Sequence, residues 1–313
     1  MTPQLLPEPR KIRLLGGTVE LSRAGRAGTA RLERVAGGPP QGYTLTVDAQ
    51  GVRLAASDAA GLFYGRQTLR QLWRQFGRHL PRLRIEDFPA FLHRGYSLDI
   101  SRGRVPRMAT LKALADRMAT LKMNQLQLYI EHVFDFAFDP DIGAGSDPLT
   151  ARDIRALDEY CRALHIELVP SLACFGHMGR ILSLPAYRKL AESEWPARDW
   201  ESAPWRMRLR GATLNPRLEG SRRLLRNMLD EFLPLFSSVH FNMGGDETYD
   251  LGRGANAAYV RRHGSAALYV FPEKPDVDAS GSDNQIGTWF VNVHPVTVMG
   301  EPPRSTIRLS VLF

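Results

Sequence analysis

The stretch VHFNMGGDE, residues Val239 to Glu247, runs from apolar residues through two glycines into two adjacent carboxylates. A short apolar run of this kind is typical of a buried strand in a parallel sheet. Barrel enzymes keep their catalytic residues at the carboxyl ends of such strands. The pattern therefore predicts a strand at residues 239–243 that presents Asp246 and Glu247 at the mouth of a pocket.

The two neighbouring carboxyl groups themselves indicate acid–base chemistry. In a partly dry site they repel each other and cannot both ionise freely, so one of them is pushed towards being a proton donor at neutral pH. A strand that ends in a solvated acidic turn would give the same local sequence. The pair alone leaves that alternative open, and the rest of the chain has to decide.

Length and composition indicate a soluble globular protein. The chain has 313 residues, of which 43% are hydrophobic and 24% are charged, and this length suits one large domain or two medium ones. No apolar run approaches the roughly 18 residues of a membrane span. The first 17 residues have no apolar core of signal-peptide length and are interrupted by prolines. We therefore expect a cytoplasmic protein that does not associate with membranes.

Charge and cysteine content exclude several other classes. The net charge is +8, but the arginines are spread along the chain and form no basic block with interleaved aromatics, so nucleic-acid binding is not expected. The two cysteines, Cys161 and Cys174, sit among apolar residues and lack metal-ligand spacing, so they are expected to be core thiols. The sequence contains no metal-ligand cluster and no phosphate-binding loop, and we expect no cofactor.

The first 88 residues predict a small α/β domain. Alternation at residues 43–47 and 52–54 around a turn predicts a hairpin. Ser57-Asp58 offers a helix N-cap, and apolar residues at helical spacing predict a helix that ends at Gly77. Residues 85–89 are predicted to form the linker to the next domain.

From residue 89 the rhythm changes to alternating strands and helices. Strands are predicted at residues 95–100, 126–130, 166–170 and 239–243. Helices are predicted to start at Pro106, after the capping box Thr150–Asp153, and at Arg217. This alternation predicts a parallel sheet with right-handed crossovers, in a (β/α) barrel or an open α/β fold.

The predicted barrel is incomplete. Only residues 248–313 follow Glu247, whereas four more β/α units would need about 120 residues. The tail from residue 264 is rich in Pro, Gly, Ser and Asp, with possible strands at 286–299 and 307–313. We therefore divide the chain into an N-terminal α/β domain at 1–88, the first half of a barrel at 89–263 and an atypical tail at 264–313.

Six segments between about residues 40 and 262 carry a resemblance to a known family. They are Gly61–Gly65 with Gln67–Leu69, Arg94–Arg102, Leu121–Asn124, Val169-Pro170 with Phe175-Gly176-His177, Thr213–Pro216 and Phe241–Glu247. Their order and spacing resemble glycoside hydrolase family 20, the β-N-acetylhexosaminidases. The first segment is similar to the small α/β domain of that family, and the others are similar to its barrel strands and its Gly-Gly-Asp-Glu signature.

The resemblance implies substrate-assisted, retaining hydrolysis of N-acetylhexosamine-containing glycans or glycoconjugates, which is an exception to the usual two-carboxylate scheme. It implies that Glu247 is the general acid and base and that Asp246 orients the 2-acetamido group. By the same resemblance Arg94 is expected to fork to sugar hydroxyls, and His177 is expected at the site. Glu131 and His132, which end the second barrel strand, are further candidates for substrate binding.

The chain also departs from the family pattern. Tyr129-Ile130-Glu131-His132 replaces the usual His and Asp after the second strand, and the later strands that wall the sugar pocket with tryptophans are not recognisable. Trp289 is the only tryptophan after the acid pair. Two alternatives to an active hexosaminidase therefore stay open. One is an impaired half-barrel that at most binds sugar, and the other is a related retaining hexosaminidase barrel with an acetamido-assisted mechanism.

Overall fold

The computed structural model describes residues 2–21, 31–194, 212–268, 290–294 and 308–312. Contacts divide the chain into two compact units. Unit 1 consists of Met1–Tyr96, Ala109–Leu126 and Glu159–Glu167, and unit 2 consists of Ser97–Met108, Gln127–Asp158 and Leu168–Phe313. The predicted linker at residues 85–89 is wrong for residues 85–87, which belong to the strand His79–Asp87. The domain boundaries inferred from the sequence, at 88/89 and 263/264, stay predictions.

Unit 1 contains a five-stranded sheet in the order β1-β5-β3-β4-β2. Its strands are β1 Lys11–Glu20, β2 Arg31–Arg34, β3 Tyr43–Asp48, β4 Gly51–Ala56 and β5 His79–Asp87. Strands β3 and β4 form the predicted hairpin, in which Asp48 pairs with Gly51. Strand β2 runs parallel to β4, and the other neighbours are antiparallel.

Helix α1 (Ala59–Phe76) provides the other half of the unit 1 core. The Asp58 carboxylate accepts a hydrogen bond from the Gly61 N–H, and Gly77 ends the helix, as the sequence predicts. Buried aliphatic side chains from the sheet and the helix form one cluster, including Leu45, Leu54, Leu69, Leu72, Leu83 and Ile85. Burial of this apolar area is the main source of stability in such a small layer.

A buried ion pair lies beside this core. The Nζ atom of Lys122 is 2.8 Å from Oδ2 of Asp87 and donates to the hydroxyl of Tyr43 at 2.9 Å. The Tyr43 hydroxyl in turn lies 2.6 Å from Oγ1 of Thr68. Burial lowers the pKa of Lys122 against the opposing effect of Asp87. Removal of either charge would leave the other buried and unpaired.

The second sheet has six strands among the described residues, in the order β11-β10-β9-β8-β7-β6. Its strands are β6 Gly95–Asp99, β7 Gln125–Ile130, β8 Glu167–Leu172, β9 His240–Asn242, β10 Phe290–His294 and β11 Arg308–Leu312. The four predicted barrel strands are confirmed, with ends that differ by at most two residues. Strands β8 and β9 pair in parallel, as expected for a barrel.

The tail departs from barrel geometry. Strands β10 and β11 fall within the two stretches where strands are predicted, but β10 pairs antiparallel with both β9 and β11. A β/α barrel would continue with parallel strands. The remaining residues of those stretches, with Trp289, lie outside the described residues.

In the described residues after β6, the α-helices are α2 Met108–Thr120, α3 Ala151–Ala163, α4 Gly179–Ser183, α5 Glu219–Phe232 and α6 Ala257–His263. The capping box before α3 is confirmed, because the Thr150 and Asp153 side chains each bond the other residue's backbone N–H. Two predicted helix starts are wrong by two residues. Pro106 precedes α2, and Arg217 is held instead by Asn215 and Asn256 before α5 begins.

Backbone hydrogen bonds tie the carboxyl ends of the strands in unit 2 together. The Ile100 N–H donates to the Tyr129 carbonyl at 3.3 Å, and the Ala173 N–H donates to the Ile130 carbonyl at 2.8 Å. The Cys174 N–H donates to the Met243 carbonyl at 3.0 Å. The segments after β6, β7, β8 and β9 therefore meet at one edge of the sheet.

Candidate active site

Two glycines allow the loop after β9 to pack on the loop after β8. Gly244 has φ of +56°, in the left-handed region, and a Cβ there would lie 3.1 Å from the Ala173 Cα. A Cβ built on Gly176 would lie 2.0 Å from the backbone oxygen of Asp246. Only a residue without a side chain permits this approach, so the glycines fix where the acid pair stands.

His177 and Glu247 face each other across this contact. Nε2 of His177 lies 3.0 Å from Oε2 of Glu247 and 3.5 Å from Oδ2 of Asp246. Both His177 (φ +56°) and Glu247 (φ +53°) adopt the left-handed conformation, which costs free energy for residues other than glycine. Such strained residues cluster at functional sites.

Glu131 contacts the other side of the histidine ring. It directly follows β7, its side chain is 11% exposed, and its Oε1 lies 3.7 Å from Nδ1 of His177. The Tyr129 hydroxyl donates to the same oxygen at 3.1 Å. The Tyr129 ring also packs edge-on against the imidazole. His177 therefore bridges carboxylates from the segment after β7 and from the loop after β9.

Arg102 is a second basic side chain that contacts Glu131, beside His177. It follows β6, and its Nη2 donates to Oε1 of Glu131 at 3.0 Å, while its Nη1 pairs with Asp99. Nη2 also lies 3.3 Å from Nδ1 of His177. The guanidinium lies over the Tyr129 ring at 5.2 Å, a favourable cation–π geometry.

The protonation equilibria of the group are coupled. Burial lowers the pKa of His177, but the hydrogen bond with Asp246 and the charges of Glu131, Asp246 and Glu247 raise it by a larger amount. The pKa of His177 therefore lies above its usual value. The hydrogen bond from His177 lowers the pKa of Asp246 against the effect of burial. Burial raises the pKa of Glu131, although Arg102 and His177 oppose this shift. The electrostatics thus favour an imidazolium beside an ionised Asp246.

The charge balance of the group indicates what it can bind. Two cations, Arg102 and protonated His177, face the carboxyl groups of Asp99, Glu131, Asp246 and Glu247. Asp246, which its lowered pKa keeps ionised, lies where it can stabilise positive charge that develops on a neutral substrate. The Asp246 and Glu247 side chains are 28% and 32% exposed, so a small molecule can reach both.

The structure brings together four of the six residues that the sequence nominated, namely Asp246, Glu247, His177 and Glu131. His132 follows Glu131 and is half-buried, and its part in binding stays a prediction. Arg94 belongs to unit 1. Its guanidinium donates to the backbone carbonyls of Lys122, Phe91 and Leu92, which is a structural role, so its contact with sugar also stays a prediction.

Sequence reasoning missed three residues of this group. In the sequence, Arg102 was only the last residue of the Arg94–Arg102 segment, and Tyr129 was only part of the second barrel strand. Tyr249 lies beside the acid pair, and its hydrogen bond with Glu247 raises the pKa of its hydroxyl. One signal was available, because Arg102 follows the carboxyl end of β6, where barrel enzymes place catalytic groups, whereas Arg94 precedes the strand.

Within the described ranges, no group of three or more His, Cys, Asp and Glu side chains is arranged to hold a metal ion. Within the same ranges, no helix is both long and apolar enough to cross a membrane. Both cysteines are buried and form no disulfide, as predicted. Burial raises the pKa of the Cys174 thiol to about 12, so this thiol is protonated at neutral pH.

A carboxylate pair at the strand ends of a (β/α) sheet is typical of glycoside hydrolases, and sequence comparison assigns the family. The family model described as "Glycosyl hydrolase family 20, catalytic domain" matches residues 91–261, and the one for "domain 2" of this family matches residues 22–88. The chain belongs to glycosyl hydrolase family 20.

The curated relatives are similar only in part of their length. A beta-hexosaminidase of Porphyromonas gingivalis is 28% identical over 237 residues, which cover 66% of this chain and 29% of the relative. A beta-hexosaminidase of Vibrio furnissii is 28% identical over 238 residues, which cover 66% of this chain and 38% of the relative. The chain thus spans about a third of the length of these two relatives.

Solved structures show the same relationship. A glycoside hydrolase family 20 β-N-acetylglucosaminidase superposes with a TM-score of 0.64 at 27% identity, covering 79% of this chain and 60% of that one. A β-N-acetylhexosaminidase superposes with a TM-score of 0.71 at 23% identity, covering 86% and 60%. These similarities support the TIM-type barrel fold, which the described strands represent in part.

Proposed function

We propose that this chain carries the catalytic site of a β-N-acetylhexosaminidase, which removes terminal β-linked N-acetylhexosamine from glycans or glycoconjugates. The observation that carries the proposal is the acid pair itself. Asp246 and Glu247 follow β9 in a chain of family 20, and both contact one imidazole nitrogen of His177. A solvated acidic turn would not need this histidine, two left-handed residues and a glycine contact to hold it.

The first step of the proposed reaction uses the substrate as its own nucleophile. The acetamido oxygen attacks the anomeric carbon, the bond to the leaving oxygen breaks, and Glu247 gives its proton to that oxygen. A bicyclic oxazolinium forms, and its positive charge lies on the acetamido group. Asp246 accepts a hydrogen bond from the acetamido N–H and stabilises this charge, because its lowered pKa keeps it ionised.

The second step reverses the role of Glu247. Its carboxylate takes a proton from water, the water oxygen attacks the anomeric carbon, and the bond to the acetamido oxygen breaks. The configuration is retained because the anomeric carbon is attacked twice, and each attack inverts it. General acid–base assistance of this kind contributes about 10²–10⁴-fold to the rate.

For the recognition of sugar hydroxyls we add Arg102 as a candidate to Arg94, which the family resemblance implies. Arg102 has a planar guanidinium beside Glu131 and His177, and its fork suits paired oxygen acceptors. Tyr129 and Glu131 fix its position. Glu131 then serves to hold Arg102 and His177, a positioning role.

The test compares substrates with and without the acetamido group. Aryl N-acetyl-β-glucosaminide and aryl β-glucoside are assayed with the wild type, Asp246→Asn and the control Asp135→Asn, which changes an exposed aspartate. We expect turnover of the N-acetyl substrate alone, about 10²-fold or more reduced in Asp246→Asn and unchanged in the control. Equal wild-type turnover of both substrates would show that the acetamido group takes no part.

A further inference from the structure

A carboxylate outside the acid pair is buried in unit 2 without a cationic partner among the described contacts. Glu192 is 1% exposed, and a buried carboxylate is costly unless hydrogen bonds satisfy it. Its Oε1 accepts the backbone N–H groups of Gly252 at 3.1 Å and Asn256 at 3.0 Å. Its Oε2 accepts the side-chain amide of Asn256.

All these donors lie in one loop. Residues 248–256, here called the acid loop, connect Glu247 to α6. The acid loop also contacts the backbone of Glu192, because the Ala255 N–H donates to the Glu192 carbonyl at 2.8 Å. A Cβ on Gly254 would lie 2.0 Å from the same oxygen. Glu192 therefore holds the acid loop by both its side chain and its main chain.

Few residues separate Glu247 from the hydrogen bonds that Glu192 accepts. The Tyr249 N–H donates to the Glu247 carbonyl at 2.9 Å, and Gly252 follows three residues later. Glu247 adopts a left-handed conformation with φ of +53°, which persists only where the surroundings impose it. A fixed point at Gly252 and Asn256 supplies such a constraint from the C-terminal side.

The same network reaches the loop that carries His177. The Asn256 amide also donates to Oδ1 of Asn215 at 2.8 Å. The Leu214 N–H, one residue before Asn215, donates to the Phe175 carbonyl at 2.9 Å. Phe175 lies two residues before His177. One buried group of polar side chains thus connects the segments on both sides of the His177–Glu247 contact.

We propose that Glu192, acting through Asn256, is a positioning residue that fixes the acid loop and so keeps Glu247 aligned with His177 and the leaving oxygen. The catalytic part of this inference rests on the proposed function. A residue that only stabilised the fold would affect all substrates equally when replaced. A residue that aligns the general acid affects most the substrates that need proton donation, which are those with poorly acidic leaving groups.

The test uses an exchange of the two partners. Glu192→Gln places an amide against the Asn256 amide, and Asn256→Asp alone places two carboxylates together. In the double variant the amide and the carboxylate change places, so a hydrogen bond between the two side chains can form again. Turnover is measured with an activated aryl N-acetylglucosaminide and with an alkyl one. Asn256→Ala, which leaves the two backbone donors of Glu192 in place, serves if Glu192→Gln does not fold.

We expect Glu192→Gln to lower turnover of the alkyl substrate at least about 10-fold more than that of the aryl substrate. The double variant should recover part of the loss, because it regains the bond between residues 192 and 256 but not the bond from residue 256 to Asn215. Equal losses on both substrates, or no recovery in the double variant, would overturn the positioning role.

Amide hydrogen exchange of residues 248–256 gives a readout that is independent of activity. We expect exchange there to accelerate at least about 10-fold in Glu192→Gln, as local opening becomes easier, with no change in β3 and β4. Unchanged exchange in the acid loop would overturn the inference. A wild-type chain that turns over neither substrate would reject the proposed function instead, and the exchange result would still decide whether Glu192 holds the acid loop.

Discussion

Gly176 lies so close to Asp246 that a Cβ on the glycine would be 2.0 Å from the backbone oxygen of the aspartate. The loops after β8 and β9 can therefore pack only if position 176 has no side chain. His177 and Glu247, which come directly after these two residues in the chain, owe their 3.0 Å contact to this approach. The backbone contact between Gly176 and Asp246 therefore positions the side chains of His177 and Glu247.

The first prediction concerns this glycine. Gly176→Ala has to push the acid pair away from His177, because the obstructing atom is backbone and cannot rotate aside. We expect turnover to fall about 10²-fold, the cost of a displacement of about 1 Å at a catalytic group. Gly38→Ala is the control, since its Cβ would meet only Ser57 at 3.4 Å. Wild-type turnover in Gly176→Ala would show that the approach does not position the acids.

The second prediction concerns the pH dependence of stability. The folded-state pKa of His177 lies above its usual value of 6.5, so protonated His177 stabilises the fold fully below that pH. The contribution is lost as the pH rises through the folded-state pKa. The Tm difference between the wild type and His177→Gln should therefore be largest near pH 6 and shrink towards pH 9.

The exposed His79 on β5 provides the control for this measurement. His79→Gln should give a Tm difference that does not follow this profile. A His177→Gln difference that grows with pH would contradict the assigned direction of the pKa shift. Asp246 has a lowered pKa, so its contribution to stability is lost only as the pH falls below its usual value of 3.8.

The third prediction separates the two arginines. Arg102→Lys should reduce kcat/KM about 10–100-fold, since hydrogen bonds to charged groups contribute about 1.5–3 kcal/mol. Arg94→Lys should lower Tm, because it loses bonds to three backbone carbonyls, with little change in kcat/KM. The reverse pattern would return sugar recognition to Arg94.

The fourth prediction concerns the buried pair in unit 1. Lys122→Met leaves the Asp87 side chain, which is 13% exposed, without its cation and should cost about 3–5 kcal/mol in urea unfolding. Lys122→Met with Asp87→Asn should recover part of this loss. Lys11→Met breaks a pair with Glu86 in which the lysine is 67% exposed, and it should cost less than about 1 kcal/mol. Equal effects at the two lysines would contradict the role of burial.

The strands and the acid pair were predictable because their signals are local. The apolar run before Gly244 and the capping box at Thr150 each indicate the structure of the few residues around them. It was harder to predict from the sequence which arginine lies at the site. Arg94 and Arg102 flank the same strand, and only the rule that catalytic groups follow the carboxyl end distinguishes them.

Contacts that close over long sequence separations were not predictable in this way. Glu192 meets Asn256 across 64 residues, and no periodic pattern signals such a pair. The direction of β10 was missed for a similar reason. Alternation of apolar and polar residues identifies a strand. It does not identify the neighbouring strand, because that depends on how the intervening loop closes.

Glu247→Gln gives the most direct test of the proposed mechanism, because it removes the proposed proton donor and keeps the shape of the side chain. Turnover of an aryl N-acetyl-β-glucosaminide is compared among the wild type, Glu247→Gln and the control Glu219→Gln, whose side chain is 69% exposed. We expect a loss of about 10²–10⁴-fold in Glu247→Gln and none in the control. Turnover by Glu247→Gln equal to that of an active wild type would contradict the assignment of Glu247 as the general acid.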